Sequence, residues 1–188
     1  MRSYKITLLP GDGIGPEITT VTQNILELIS QKFGFELNFT KMPFGGSGIE
    51  SENNPLPERT LQECKNSDAV LLAAIGDPKY DQLPREKRPE TGLLKLRSSL
   101  DLFANIRPVK IIPSLTKASS LKEEFVNEVD LVVVRELTSG IYFGEPKGRI
   151  KTDRGERAFN TMTYTSDEVT RIAEIAFKLA KQRNHKVC

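Results

Sequence analysis

Residues 9–18, LPGDGIGPEI, place three glycines between two prolines, directly after the apolar segment Lys5–Leu9. Glycine permits the backbone conformations of a tight turn, and proline is favoured at the first position of a helix. From Pro16 to about Phe33, apolar residues recur at helical spacing: Ile18, Val21, Ile25, Leu28 and Ile29. The stretch therefore predicts a strand, a tight turn and a helix.

The following segments continue to alternate between strand and helix patterns. Phe35, Leu37 and Phe39 alternate with polar residues, as in a strand. The stretch 43–57 is rich in Gly, Asn, Ser and Pro and predicts a loop, and Pro57 begins a short helix to about Asn66. Ala69–Ile75 is a continuous apolar run, which is typical of a strand covered on both faces. This order predicts an α/β fold with a layered parallel sheet and flanking helices.

Residues 76–89, GDPKYDQLPREKRP, form a long polar stretch with three prolines. A loop of this length inside a compact domain is usually functional or disordered. A helix from about Gly92 to Leu100 and a strand at Leu102–Val109 are predicted after it.

The last part of the chain adds further elements. Leu131–Val134 predicts an apolar strand, and Ile141–Phe143 a short arm. Thr165 and Glu168 have the spacing of a capping box that opens an amphipathic helix. The final HKVC, residues 185–188, predicts the beginning of another strand.

Charge and cysteine content exclude several classes of protein. The 27 basic and 25 acidic residues are mixed along the chain. The sequence has no long basic stripe, which argues against a nucleic-acid binder. The apolar run in the opening MRSYKITLLP is too short for a signal peptide, and no segment approaches the length of a membrane span. Cys64 and Cys188 lack a CxxC partner, and Cys64 is expected to be a buried apolar residue. A cytoplasmic protein without membrane association is expected.

The glycine-rich stretch does not match the dinucleotide fingerprint GxGxxG. Pro16 stands where the third glycine would be required. Free backbone N–H groups at a helix start still permit anion binding. From the residues alone, both an anion-binding turn and a purely structural strand–turn–helix connection remain open.

Three arginines in apolar surroundings are candidate ligands for an anionic substrate. Arg97 lies in LLKLRSSL, whereas Arg107 and Arg135 follow or end apolar strands. A guanidinium grips a carboxylate or phosphate in bidentate fashion, so three converging arginines would suit a small dianion. The alternative is that each pairs with a structural carboxylate, such as Glu136 beside Arg135.

Tyr142 and His185 are the other side chains considered for catalysis. Near arginines, the Tyr142 phenol would serve as a proton donor, and the alternative is a packed ring in a hairpin. His185 lies among basic residues near the end of the chain, where a solvated helix end is expected.

Several motifs together resemble the 3-isopropylmalate dehydrogenase family, within the β-decarboxylating dehydrogenases. They are LLPGDGIGPE, RPETGLLKLRSSLDLFANIRPV, VVVRELTSGIYFGEP and AFNTMTYTSDEVTRIAEIAF, and the resemblance runs from Lys5 to Cys188. It implies a partial two-domain fold with a non-Rossmann cofactor site. Residues 1–100 would be the first part of the cofactor-side domain and residues 101–188 the first part of the second domain.

The resemblance also implies a reaction and roles for individual residues. The family oxidises and decarboxylates 3-isopropylmalate to 4-methyl-2-oxopentanoate while reducing NAD, in leucine biosynthesis. Arg97, Arg107 and Arg135 would hold the two malate carboxylates, and Leu93 and Leu94 would form an apolar wall for the isopropyl group. Tyr142 would protonate the carbon left by decarboxylation.

The loop before the first of these arginines would lie along the nicotinamide cofactor. The implied cofactor-binding residues are Gly76, Asp77, Pro78, Lys79, Tyr80, Asp81, Gln82, Leu83, Pro84, Arg85, Glu86, Lys87, Arg88, Pro89 and Glu90. Family members often carry two glycines and a tryptophan where this chain has Gly76-Asp77 and Tyr80. The loop backbone is therefore expected to be less free at Asp77.

Family chains are roughly twice as long as this one, so the sequence corresponds to the N-terminal half. The aspartates that bind Mg²⁺ or Mn²⁺ and the catalytic lysine supplied across a homodimer would follow residue 188, and no metal ligand is assigned here. The chain alone is expected to be inactive. Two alternatives remain: a non-catalytic truncated fragment, and a related β-decarboxylating dehydrogenase acting on another 2-hydroxy acid, which Leu93 and Leu94 disfavour if that acid is polar.

Overall fold

The glycine-rich turn connects the central strand of a parallel sheet to the first helix. The computed structural model describes residues 2–127 and 129–188, and the chain divides into two units, Met1–Leu100 and Asp101–Cys188. The strands and helices of the first unit are β1 (Arg2–Gly11), α1 (Gly15–Phe33), β2 (Phe35–Lys41), α2 (Gly46–Glu52), α3 (Glu58–Asn66), β3 (Ala69–Ala74) and α4 (Pro89–Ser99).

The predicted parallel α/β sheet is confirmed, in the strand order β2–β1–β3. Ile6 of β1 lies opposite Phe39 on one side and Ala69 on the other, and both pairings are parallel. Central β1 is the most buried strand, since Leu8 and Leu9 are 2% and 0% exposed. Strand β3 is an edge strand of this sheet, and its apolar run is only half-buried. Burial on both faces therefore belongs to β1 rather than to β3.

The core of this unit lies where helices α3 and α4 and the loop before α2 pack against the sheet. Its buried members are Leu9, Phe44, Leu56, Leu61, Cys64 and Leu96. The expected burial of Cys64 is confirmed, and desolvation raises the pKa of its thiol to about 11. Cys64 is therefore a protonated core residue at neutral pH.

Helix α1 is confirmed, but its apolar stripe is exposed. Ile18, Val21, Ile25 and Leu28 retain between 41% and 65% of their accessible surface. Helical periodicity therefore identified the element correctly, while its apolar residues are not part of the core described above.

Two boundaries predicted for the first unit are wrong. The stretch 43–57 is not entirely loop, because α2 forms within it. Asp12, 34 residues away, accepts hydrogen bonds from Gly46 N and Ser47 N at the start of that helix. The fourth helix begins at Pro89 rather than Gly92, and the loop before it contains two 3₁₀ turns, Pro78–Tyr80 and Arg85–Lys87.

The second unit contains two antiparallel strand pairs. Its elements are β4 (Ala104–Lys110), α5 (Glu123–Val126), β5 (Asp130–Glu136), β6 (Gly148–Thr152), β7 (Gly155–Phe159) and α6 (Ser166–Lys181), with 3₁₀ turns at Pro113–Ala118 and Gly140–Tyr142. Strand β4 pairs with β5, and β6 pairs with β7. The strands predicted at 102–109 and 131–134 are thus present with shifted ends.

Several features of the second unit differ from the sequence prediction or were not part of it. The expected arm at 141–143 is a 3₁₀ turn, and the hairpin is β6–β7 instead. Residues 185–188 form no strand in the described part of the chain. His185, at φ 56°, donates its backbone N–H to Ala180 O at 3.1 Å and turns the chain away from α6.

The capping box of α6 is confirmed. The Thr165 side chain accepts from Glu168 N at 3.3 Å, and the Glu168 carboxylate accepts from Thr165 N at 2.7 Å. Each residue thereby satisfies a backbone donor that the helix start would otherwise leave free.

Candidate active site

Asp12 joins the loops at the carboxyl ends of β1 and β3. It is 7% exposed, and its Oδ1 accepts from Gly46 N at 2.6 Å and Ser47 N at 3.3 Å, while its Oδ2 accepts from Gly76 N at 3.0 Å. Its own N–H donates to Ala74 O at 2.8 Å. One buried carboxylate thus fixes the opening turn, the start of α2 and the first residue of the 76–90 loop. This role was not predicted from the sequence.

The glycine before Asp12 is required by a close approach of two strands. Gly11 has φ +69°, and a Cβ there would overlap the Ala74 carbonyl. The turn brings β1 against the end of β3, where a ligand crevice is usual in open α/β sheets. The opening stretch is therefore a structural connection at the edge where ligands of such folds bind.

The loop 76–90 is ordered by its own hydrogen bonds. The Arg88 guanidinium donates to Leu83 O at 2.9 Å and to Asp81 O at 2.6 Å. Thr91 Oγ1 donates to Arg85 O at 2.6 Å, and the Asp77 carboxylate accepts from Lys79 N at 3.0 Å. Tyr80 is buried, at 8% exposure. The positive side chain of Arg88 is therefore used to brace the loop backbone.

Helix α4 carries four of the predicted site residues on one side. Glu90, Leu94 and Arg97 are spaced by four and three residues, so they lie along one stripe, with Leu93 beside it. Leu93, Leu94 and Arg97 are all half-buried, and Leu93 also packs against the core. The Glu90 carboxylate lies beside Gly76, 3.2 Å from the position a Cβ would take there. One helix therefore connects the predicted cofactor loop to a predicted substrate arginine.

Arg107 and Arg135 lie on the same face of the β4–β5 ribbon. Arg135 is directly opposite Asn105, and Arg107 is two residues further along β4. Directly opposed residues share a face of the sheet, and residues two apart along a strand do so as well. Arg107 is exposed, and its Nε donates to Asn105 Oδ1 at 2.7 Å. The fold thus brings these two of the three predicted arginines together within the second unit.

The suggested pairing of Glu136 with Arg135 is wrong. Glu136 instead receives hydrogen bonds from Arg171 Nη2 at 2.8 Å and from Ser139 Oγ at 2.6 Å. Adjacent residues of a strand point to opposite faces, so Glu136 cannot share the face of Arg135. The carboxylate of Glu136, the neighbour of Arg135 in sequence, therefore pairs with Arg171.

Glu136 and Arg171 form the centre of a polar cluster that the sequence did not predict. The Glu136 side chain is 7% exposed, and Thr138 N and Ser139 N also donate to its Oε2, each at 2.9 Å. Burial raises the pKa of Glu136, but the hydrogen bonds from Ser139, Arg171 and Thr138 outweigh it, so that the net shift is downward. The Arg171 guanidinium also lies 4.5 Å from the Phe103 ring centroid. The cluster fastens α6 to the end of β5.

Tyr142 ends the 3₁₀ turn Gly140–Tyr142 and is 48% exposed. Its carbonyl oxygen accepts from Lys147 Nζ at 3.2 Å. The phenol therefore lies at the surface of the second unit rather than packed in a hairpin. Its proposed part in proton transfer remains a prediction.

The described residues contain neither a metal-binding cluster nor a membrane-spanning helix. Residues 2–127 and 129–188 include no group of three or more His, Cys, Asp or Glu side chains placed to hold a metal ion. No helix in this part of the chain is long and apolar enough to cross a membrane.

Comparison with known proteins gives consistent matches over the whole chain. The family model described as isocitrate/isopropylmalate dehydrogenase matches residues 5–188. The chain is 86% identical to 3-isopropylmalate dehydrogenase of Prochlorococcus marinus (strain NATL2A), over all of this chain and 52% of that relative. It is 61% identical to 3-isopropylmalate dehydrogenase of Synechococcus sp. (strain CC9902), over all of this chain and 53% of that relative.

A solved structure agrees with these sequence matches. The crystal structure of isocitrate dehydrogenase from Methylococcus capsulatus superposes with a TM-score of 0.75 at 28% identity, over 95% of this chain and 48% of that one. The chain thus spans about half the length of the curated relatives it matches. On the family model, the sequence identity and the shared fold, the chain belongs to the isocitrate/isopropylmalate dehydrogenase family.

Proposed function

We propose that the chain serves the NAD-dependent oxidative decarboxylation of 3-isopropylmalate to 4-methyl-2-oxopentanoate, in leucine biosynthesis. The observation that carries this proposal is the 86% identity, over all 188 residues, to a 3-isopropylmalate dehydrogenase. The first unit would be the first part of the cofactor-side domain, and the second unit the first part of the second domain, which would serve substrate binding and dimer formation. A cytoplasmic location and a homodimer are expected on the same ground.

The arginines would supply the positive charge that binds the carboxylates of the substrate. Arg107 and Arg135 share one face of the β4–β5 ribbon, so their guanidinium groups are suited to grip one dianion. Arg97 would contribute the third cation from α4. Bidentate contacts would hold the malate carboxylates and orient the hydroxyl-bearing carbon.

Helix α4 would supply the selectivity for the side chain of the substrate. Leu94 lies one turn from Arg97, on the stripe that begins at Glu90. An apolar wall beside the arginine favours an isopropyl group and leaves a third carboxylate poorly solvated. Leu93, packed against the core, would support that wall from behind.

The residues of the first unit fit a nicotinamide cofactor at the loop 76–90. Gly13 and Gly76 both have positive φ. A Cβ at Gly13 would meet no atom closer than Gly76 O at 4.0 Å, so there is open space beside Gly13 at the carboxyl ends of β1 and β3. NAD bound there would supply the acceptor for the hydride that leaves the hydroxyl-bearing carbon. The loop would orient the cofactor, with Glu90 at its end beside Gly76.

Tyr142 would complete the reaction as a proton donor. Loss of CO₂ from the keto acid leaves the electrons of the broken carbon–carbon bond as an enolate, which needs a proton on carbon. The exposed phenol of Tyr142 is a group that would donate it. The family also implies Mg²⁺ or Mn²⁺, but the described residues do not provide a group of ligands that fits this ion.

The proposal is tested with a chimera. Residues 1–188 replace the matched segment of the Prochlorococcus relative, which retains the remainder of its own chain. Initial rates of NADH formation are measured with 3-isopropylmalate, isocitrate, malate and tartrate in the presence of Mn²⁺. The parent relative is the matched control, and the 188-residue chain alone is assayed in parallel.

The proposal predicts that the chimera turns over 3-isopropylmalate within about tenfold of the parent and prefers it to the polar acids. A folded chimera without turnover would favour a non-catalytic chain. Preference for one of the polar acids would assign the chain to a different member of the dehydrogenase group.

A further inference from the structure

Tyr80 is buried against helix α2, at the centre of the contact between that helix and the loop 76–90. Its side chain is only 8% exposed. Gly46, in the first turn of α2, faces the ring so closely that a Cβ there would overlap the ring and its hydroxyl. The aromatic ring therefore occupies the space that the missing side chain of Gly46 leaves open.

The hydroxyl of Tyr80 is fixed by a residue of the same helix. Tyr80 OH donates to Glu50 Oε1 at 2.9 Å, and Lys79 Nζ donates to the same oxygen at 2.7 Å. Lys79 Nζ also lies 4.9 Å from the centroid of the Tyr80 ring. Burial is the main cause that raises the pKa of Tyr80, so the phenol stays protonated and remains a donor at neutral pH.

The aromatic contact outweighs the ion pair in this arrangement. The Lys79 and Glu50 side chains are 54% and 59% exposed, and exposed ion pairs contribute little to stability. A buried aromatic ring removes a large apolar area from water and is held in one place by packing. The ring of Tyr80 is therefore the dominant contact, and Glu50 sets its orientation.

The helix that receives Tyr80 is itself tied to the start of the loop. Asp12 accepts from Gly46 N with one carboxylate oxygen and from Gly76 N with the other, at 2.6 and 3.0 Å. The loop is thus fixed to the beginning of α2 at Gly76 through Asp12, and at Tyr80 by direct contact. The five residues 76–80 span these two attachments.

We propose that Tyr80 is a positioning residue: its ring packed against Gly46 and its hydroxyl on Glu50 hold the loop 76–90 in the conformation that lines the cofactor. Tyr80 acts through the loop backbone. The link to NAD rests on the proposed function, whereas the attachment of the loop to α2 does not.

The attachment is tested by amide hydrogen exchange on the 188-residue chain. The reporters are Asp81 N and Leu83 N, which donate to Pro78 O at 3.1 Å and to Tyr80 O at 3.0 Å. Tyr80→Ala should raise their exchange rates about tenfold or more, because the loop then opens locally. Tyr80→Phe keeps the ring and should raise them by less than about threefold. Unchanged rates in Tyr80→Ala would overturn the proposal.

Glu52→Gln is the matched control for Glu50→Gln. Both glutamates are on α2, but Glu52 pairs with Arg59 and not with the loop. Glu50→Gln should raise exchange at Leu83, and Glu52→Gln should not. Equal effects of the two substitutions would show that general weakening of α2, and not the contact to Tyr80, opens the loop.

A double-mutant cycle tests the packing itself. Gly46→Ala should expel the ring and open the loop about as much as Tyr80→Ala, and the double variant should be no worse than Tyr80→Ala alone. Additive effects would mean that Gly46→Ala acts by another route, such as the hydrogen bond to Asp12, and would contradict the packing claim.

The link to the cofactor is tested in the chimera. Tyr80→Ala should raise the KM for NAD about tenfold while changing kcat and the KM for 3-isopropylmalate by less than about threefold. An unchanged KM for NAD, in a variant whose loop exchanges faster, would separate the loop from cofactor binding and overturn the positioning role. An inactive parent chimera would contradict the proposed function, while the exchange experiments would still decide whether Tyr80 anchors the loop.

Discussion

The loops at the carboxyl ends of β1 and β3 in the first unit, called the loop edge below, and the β4–β5 ribbon of the second unit hold their candidate functional groups in different ways. At the loop edge, buried Asp12 and buried Tyr80 attach the chain to α2. On the ribbon, the strand register sets the common face of Arg107 and Arg135, and Arg107 is exposed. The first region is therefore preorganised by its own contacts, whereas the second presents cations from a regular backbone.

The two units also differ in what stabilises them. The first has an apolar cluster that includes Leu9, Phe44 and Leu56, each at most 1% exposed. Among the described residues of the second unit, the buried hydrophobic side chains are Val126, Leu137 and Ala180. Its most connected buried group is the carboxylate of Glu136. Hydrophobic burial dominates the first unit, and a polar cluster has a comparatively larger part in the second.

The strongest test of the first region is Asp12→Ala. The substitution leaves three backbone N–H groups without their carboxylate, at Gly46, Ser47 and Gly76. We expect the free energy of unfolding to fall by about 4 kcal/mol, measured by urea denaturation. Asp68→Ala is the control, since exposed Asp68 accepts from Lys5 N at 2.8 Å, and it should cost about 1 kcal/mol or less. Equal effects would contradict the importance of the buried attachment.

The polar cluster of the second unit is tested by Arg171→Ala. The change leaves the buried Glu136 carboxylate without its cation, and we expect a loss of about 3 kcal/mol in unfolding free energy. Arg183→Ala breaks the more exposed pair with Asp130 and should cost less than about 1 kcal/mol. A similar loss in both variants would show that the cluster has no special role.

The same cluster predicts a dependence of stability on pH. The pKa of Glu136 is lowered from its ordinary value of 4.5 in the folded chain. Its stabilising contribution is therefore present above pH 4.5 and is lost as pH falls through the lowered folded-state value. In urea denaturation between pH 3 and pH 7, wild type should lose more stability on acidification than Glu136→Gln. Parallel pH profiles would remove Glu136 as the titrating group.

The ribbon is tested in the chimera by Arg107→Ala. Loss of the guanidinium proposed to bind a substrate carboxylate should lower kcat/KM for 3-isopropylmalate about 100-fold, and Arg107→Lys should restore part of it. Arg149→Ala is the control, because Arg149 lies on exposed strand β6, and its kcat/KM should stay within about twofold. An Arg107→Ala variant with unchanged kcat/KM would remove this residue from the site.

The smallest expected effect concerns a local interaction in the second unit. Thr165→Ala removes the side chain that accepts from Glu168 N and should cost about 1 kcal/mol in unfolding free energy. Thr165→Ser keeps the hydroxyl and should cost only a few tenths of a kcal/mol, about 0.3. A loss in Thr165→Ala as large as that of Arg171→Ala would contradict the ranking of the two interactions.

Local signals predicted the parts of the fold that depend on neighbouring residues. The turn after β1, helix α1 and the capping box at Thr165 could each be predicted from residues close to one another in the sequence. Helix α2 was not readable, since its first turn is satisfied by Asp12, 34 residues away. The β6–β7 hairpin lacked a signal because its residues are nearly all exposed, which leaves no apolar alternation to detect.

Partners of charged residues were the least predictable feature of the candidate site. Glu136 follows Arg135 directly, yet its partner is Arg171, which is 35 residues away. Strand geometry sends adjacent side chains to opposite faces, and only the packing of α6 determines which cation meets the carboxylate. The three arginines and Tyr142 were candidates from their sequence context, whereas their roles in the reaction came from the family resemblance and remain proposals.

The most direct test of the proposed function is the product stoichiometry of the chimera with 3-isopropylmalate. NADH is followed by absorbance, CO₂ from substrate labelled in the departing carboxylate, and 4-methyl-2-oxopentanoate by chromatography. Oxidative decarboxylation predicts the three products in equal amounts, with formation of all three reduced together in Arg107→Ala. NADH formed without CO₂, or no product from a folded chimera whose parent is active, would contradict it.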